Sequence, residues 1–137
     1  MSVILGILVG GLGYIGVHFM TRPVLELRAT RTEIAKALVF YGNVDTAVPE
    51  TAGEGPMDNR AAEARKLYRE LASTLIAQAL AIPFYRFWSL VKVLPTFKEI
   101  ETAKANLIGL SNTSGRSKES LDNSRRQTNI EKALHLQ

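Results

Sequence analysis

SVILGILVGGLGYIGVHFM, from Ser2 to Met20, contains no Asp, Glu, Lys or Arg, and every charged side chain lies at Arg22 or beyond. In an α-helix these nineteen residues rise roughly 28 Å at about 1.5 Å each, close to the ~30 Å hydrocarbon core of a bilayer. The run predicts a transmembrane helix. Two other readings fit less well. A cleaved signal peptide needs a basic residue ahead of the apolar run and a small-x-small site behind it, and the flank His18-Phe19-Met20-Thr21-Arg22-Pro23 offers neither. A core helix apolar on every side needs to be surrounded, and the mostly amphipathic remainder of a 137-residue chain is too short for that.

The same stretch holds Gly11-Leu12-Gly13-Tyr14-Ile15-Gly16, a G-x-G-x-x-G spacing behind the strand-like run Val3 to Val9. VGGLGYIG resembles the phosphate-binding turn of extended short-chain dehydrogenases and sugar-nucleotide epimerases. There the glycines permit a tight turn and let a pyrophosphate approach a helix N-terminus, so the resemblance implies a dinucleotide-binding enzyme. It covers about eight residues. No second apolar strand precedes Val39, and no ribose-binding acid follows such a strand.

In a membrane the glycines have another use. Ser2, Gly6, Gly10, Gly13 and Val17 are spaced 4, 4, 3 and 4, which places them on one helix face. Gly6, Gly10 and Gly13 then form a helix-contact surface where another backbone can approach closely. The partners it suggests are integral membrane proteins or a second copy of the chain. Arg22, Arg28, Arg31 and Lys36 follow the span and only the terminal amine precedes it, so the C-terminal side is expected in the cytoplasm. The absence of cysteine agrees with a reducing compartment.

Beyond the span, 3- and 4-residue spacings predict helices. Val24, Leu27, Arg31, Ile34, Leu38 and Tyr41 mark one that ends near Gly42-Asn43. Arg31 interrupts its seam and is expected to reach headgroups or a carboxylate, or to snorkel at the bundle edge. Val44 to Met57, with two prolines, two glycines and three acids, reads as an exposed loop. Asp58 is the expected N-cap of a second helix with Ala61, Ala64, Tyr68, Leu71, Leu75, Gln78 and Ile82 on one face, closed by Pro83. Paired antiparallel, the two helices make a hairpin. Thr96-Phe97-Lys98-Glu99 is a capping box; the helix behind it buries Ile100, Ala103, Leu107 and Leu110 and stops at Gly109 or Asn112. Gly109 to Ser117 (GLSNTSGRS) lacks the lysine and strand of a phosphate loop and reads as a hydroxyl-rich linker. The tail is helix-prone, with Leu121, Ile130, Leu134 and Leu136 as its anchors. The chain thus divides into an anchor (1–21), a helical bundle (22–110) and a linker with a C-terminal helix (111–137), an all-α protein with one N-terminal span.

Between the second and third of these helices, Phe84-Tyr85-Arg86-Phe87-Trp88 packs four of the chain's ten aromatics into five positions, with Lys92 close behind and no acid. Trp and Tyr beside Arg and Lys favour the headgroup boundary. Arg22, Tyr85, Arg86, Trp88 and Lys92 are therefore expected to meet membrane lipids, unless this corner faces the bundle core.

Chemistry is thinly supplied. Of the two histidines, His18 lies at the edge of the span and His135 is the third residue from the end. No His, Cys and carboxylate set has metal-ligand spacing, and no catalytic residue, metal or cofactor is expected. The net charge of +4 is scattered, so nucleic acid is not an expected partner. The reading that follows is a non-enzymatic accessory or scaffold subunit of a membrane complex. The alternative is a tethered cytoplasmic adaptor that recruits a soluble partner.

Overall fold

The structure, a computed structural model, describes residues 2–42, 56–114 and 120–136. Among them the fold is all-α, without a strand: α1 (Ser2–Tyr41), α2 (Pro56–Ala81), α3 (Tyr85–Leu90), α4 (Phe97–Thr113) and α5 (Ser120–Ala133). Among the described residues no helix is long and apolar enough to cross a membrane. The side chains of Val3, Ile4, Leu5 and Leu8, which carry much of the apolar character of the opening run, lie outside that description.

Helix α1 continues unbroken through Pro23. A proline there removes the bond its N–H would give to the Phe19 carbonyl, close to where burial begins: among the described side chains of α1, Val24 is the first that is buried. Gly11 to Gly16 also lies within this helix, so GLGYIG has neither the strand before it nor the turn that a dinucleotide-binding loop requires.

The seams read from spacing are the buried faces. Val24, Leu27, Ile34 and Leu38 of α1 meet Ala64, Tyr68, Leu71, Leu75 and Ala79 of α2, and Ile100, Ala103, Leu107 and Leu110 of α4 complete one core. Helices α1 and α2 run antiparallel. The rings of Tyr41 and Tyr68 meet edge to face at 6.2 Å, while Pro23 shares a cleft with Ala81 and Pro83 at the opposite end. Helix α2 begins at Pro56, ahead of the expected cap Asp58; a proline fits the first turn, where its missing N–H costs nothing. The loop reading of Val44 to Met57 otherwise falls outside the described residues.

Helix α5 docks through Ile130, Ala133 and Leu134. Its first apolar residue, Leu121, is 88% exposed, while the neighbouring Asn123 is buried. Asn123 is held by polar partners: its Oδ1 accepts from Arg126 Nη1 at 3.2 Å, and from the Thr113 hydroxyl at 2.5 Å.

Arginines close the C-terminal ends of two helices, where carbonyls lack intrahelical donors. At the end of α4, Arg65 Nε donates to the Ser114 carbonyl at 3.0 Å, Arg69 Nε to Ser111 Oγ at 3.3 Å and Arg126 Nη1 to Thr113 Oγ1 at 3.0 Å. Helix α4 passes through Gly109 and ends at Thr113, one residue beyond Asn112, so the first residues of the supposed linker are helical; residues 115–119 of that linker lie outside the described residues. Gly109 gives clearance instead: a Cβ there would lie 2.8 Å from Arg126 Nε. At the end of α5, Arg31 Nη2 donates to the carbonyls of Leu134 and His135. Arg31 thus reaches backbone rather than headgroups or a carboxylate. Burial, and next the charge of Arg28, lower its pKa.

Candidate functional site

The arm of α1 ahead of Pro23 is apolar around its circumference. Ile7, Val9, Leu12, Tyr14, Ile15, Val17 and Phe19 are all exposed. Nothing lies within 4 Å of a Cβ built on Gly6, Gly10, Gly11, Gly13 or Gly16, so the glycine face is open. His18 stacks on Tyr14, one turn back, with ring centroids 5.7 Å apart.

Where the arm enters the bundle, His18, Phe19, Arg22 and Pro23 share a cleft with Ala81 and Pro83, and α3 follows Pro83 in the chain and packs on α4. Pro83 stops α2, because a proline cannot continue the helical ladder. Phe84 then turns the chain with left-handed backbone angles, φ 54° and ψ 37°. Helix α3 buries none of its residues fully. Phe84, Phe87, Leu90 and Val91 are exposed, Leu90 by 81%. Leu80, at the end of α2, is also exposed.

The residues expected to meet lipid divide into two sets. Arg86 and Lys92 point outward, and among the described residues neither has a carboxylate partner. Arg22 is also exposed, paired with Glu26 at 3.0 Å on its own helix. Tyr85 and Trp88 turn the other way and pack, half-buried, against the core. The Tyr85 hydroxyl donates to the Pro95 carbonyl at 2.7 Å, and its pKa is pushed up to about 12 by burial and by the nearby Glu99 carboxylate. The phenylalanines and Leu90 take the outer positions assigned to Trp and Tyr. One signal in the sequence pointed this way: on a helix, Trp88 and Tyr85 are three apart and share a face opposite to Phe87 and Leu90.

Beneath α3 a cleft opens between it, the start of α4 and the end of α5, lined in part by Arg86, Ser89, Leu90, Lys92, Phe97 and His135. The capping box forms one wall. Glu99 accepts from the Thr96 N–H at 2.6 Å and hydroxyl at 2.8 Å, and Thr96 Oγ1 accepts from the Glu99 N–H at 3.3 Å. The Thr96 backbone bond is the main reason the Glu99 carboxyl sits below its usual pKa. His135 Nε2 lies 3.5 Å from its other oxygen.

Backbone strain gathers in this corner. Phe84, Lys92 and His135 are the non-glycine residues with positive φ among the described residues. Lys92 and His135 each occupy the left-handed position of a Schellman motif. Val93 N–H bonds the Trp88 carbonyl and Lys92 N–H the Ser89 carbonyl; Leu136 N–H bonds the Glu131 carbonyl and His135 N–H the Lys132 carbonyl. A glycine would sit there without steric cost. Instead both positions carry a basic side chain that lines the cleft.

Among the described residues no group of His, Cys, Asp or Glu could hold a metal ion. No family model, curated protein or solved structure matches this chain.

Proposed function

We propose that this chain is a membrane-anchored accessory or scaffold subunit of a larger membrane complex, without enzymatic activity of its own, joined to its neighbours through the glycine-lined face of its first helix. The observation that carries the reading is the arm. Its apolar side chains are exposed all round, and its glycines face open space. An apolar surface of that extent is costly in water and is stable against lipid or another helix. Its sequence is free of charge as far as Arg22, and the positive-inside tendency puts the bundle in the cytoplasm. Among the described residues no helix is long and apolar enough to cross a membrane, so the proposal rests on the sequence of the whole run from Ser2.

Gentle detergent extraction of native membranes, followed by pull-down and mass spectrometry, tests it. The expected result is a stoichiometric set of integral membrane proteins, lost with Gly6→Leu plus Gly10→Leu. Recovery from the soluble fraction without detergent would overturn the membrane attachment.

A second reading, a tethered adaptor, draws on an apolar groove at the far end of the bundle. It lies between α1 and α2 and is lined by Val39, Phe40, Tyr41, Leu67 and Leu71. Replacing residues 2–20 by an unrelated polyleucine span separates the two: it abolishes function if the glycine face is a contact, and spares it if the arm is only a tether.

A further inference from the structure

We propose that the cleft under α3 is a binding site for the phosphate-bearing headgroup of an anionic phospholipid, with Arg86 and Lys92 meeting the phosphate and Leu90 and Phe97 lying against the acyl chains. The choice of a lipid as the source of the phosphate rests on the membrane attachment proposed above.

Four observations converge on this cleft. The first is charge. Arg86 and Lys92 line it together with a single carboxylate, Glu99, one oxygen of which accepts from the Thr96 N–H and hydroxyl while the other faces His135. The cationic groups of Arg86 and Lys92 are left without a protein counter-ion among the described residues, and an oxyanion is what such a pair recruits. The second is amphipathy. The same cleft carries the exposed apolar side chains of Leu90 and Phe97, which a free phosphate would leave unused and an acyl chain would cover.

Position is the third. Helix α3 packs on α4, and Phe84, Phe87 and Val91, within or next to α3, are exposed. A headgroup seated between Arg86 and Lys92 would therefore have its tails beside residues suited to the same layer. The fourth is backbone conformation. Lys92 and His135 both hold left-handed angles, φ 58° and φ 51°, where glycine is the unstrained residue. These helix-end conformations place both residues on the lining of one cleft.

Two measurements on the full-length chain test the proposal. In mild detergent, native mass spectrometry follows retention of added phosphatidylglycerol, phosphatidylcholine and inorganic phosphate. Phosphatidylglycerol should be retained several-fold better than phosphatidylcholine. Arg86→Gln plus Lys92→Gln should abolish that preference, and the swap Arg86→Lys plus Lys92→Arg should retain it. A control pair on exposed α5 positions, Arg125→Gln plus Lys132→Gln, should leave it unchanged. Equal retention of the two lipids, an equal loss in the control pair, or displacement of phosphatidylglycerol by equimolar inorganic phosphate would each overturn the proposal. Flotation with phosphatidylcholine vesicles reads the arm separately. A chain that floats without preferring phosphatidylglycerol keeps its anchor and loses the headgroup site. A chain that prefers phosphatidylglycerol without floating keeps the site and loses the anchor.

Discussion

Lys92 and His135 each hold a backbone conformation that costs a non-glycine residue about 1–2 kcal/mol. Lys92 is exposed, and its N–H and that of Val93 close the end of α3. Lys92→Gly should therefore raise stability by about 1 kcal/mol, read as a higher thermal midpoint; an unchanged or lower midpoint would mean the conformation is not strained. The capping box gives a prediction of opposite direction. Thr96→Ala removes the acceptor of the Glu99 N–H and should cost about 0.5–2 kcal/mol in a urea melt. Its pH dependence follows from Glu99, whose folded pKa is depressed below the ordinary 4.5. A depressed carboxyl contributes stability above its unfolded pKa and loses it as pH falls through the folded value. Glu99→Gln should thus destabilise at pH 7 and converge on wild type once the pH is well below 4.5. At the alkaline end, Tyr85 ionises at about 12 because it is buried. Its folded pKa is raised, so the stability it contributes is whole below the ordinary tyrosine value of 10 and falls as pH rises toward 12. Tyr85→Phe should flatten that alkaline loss in a pH-jump melt.

At the scale of elements, α2 and α3 respond differently to a charge. Leu75 is fully buried in the core, so Leu75→Ala should cost about 2–5 kcal/mol and Leu75→Asp should unfold the bundle. Leu90 and Phe87 lie on an exposed face, and Leu90→Asp should move the thermal midpoint by no more than about 0.5 kcal/mol of stability. A circular-dichroism comparison of the three variants distinguishes a core helix from a surface one. Spacing was sufficient to identify the long helices, because a stripe such as Ile100, Ala103, Leu107 and Leu110 can be buried on only one side. It failed where partners come from distant chain. The polar joint around Ser111, Thr113 and Asn123 depends on arginines from α2 and α5, and no local pattern announces that a buried asparagine will be satisfied. The aromatic corner was legible in composition but not in orientation: Tyr85 and Trp88 are turned inward by packing against the core, and the outer positions fall to Phe84, Phe87 and Leu90.

For the whole molecule, the core draws on four helices and, among the described residues, begins at Val24, with none from the arm ahead of Pro23. Removing residues 2–20 should therefore leave the thermal midpoint of the bundle unchanged and increase its solubility without detergent. A lowered midpoint would show that the arm packs on the bundle. Helix α1 belongs to both parts, since it is one rod of 40 residues, about 60 Å long at the usual helical rise. The helix is continuous from the free end to the seated one, with Pro23 at the boundary. With the arm held in a bilayer, a tilt of about 20°, ordinary for a membrane helix, would swing the far end of the bundle sideways by roughly 9 Å over the ~27 Å from Pro23 to Tyr41. The groove at Val39 and Phe40 rides at the tip of that lever, so whatever grips the glycine face also sets the direction in which the groove points.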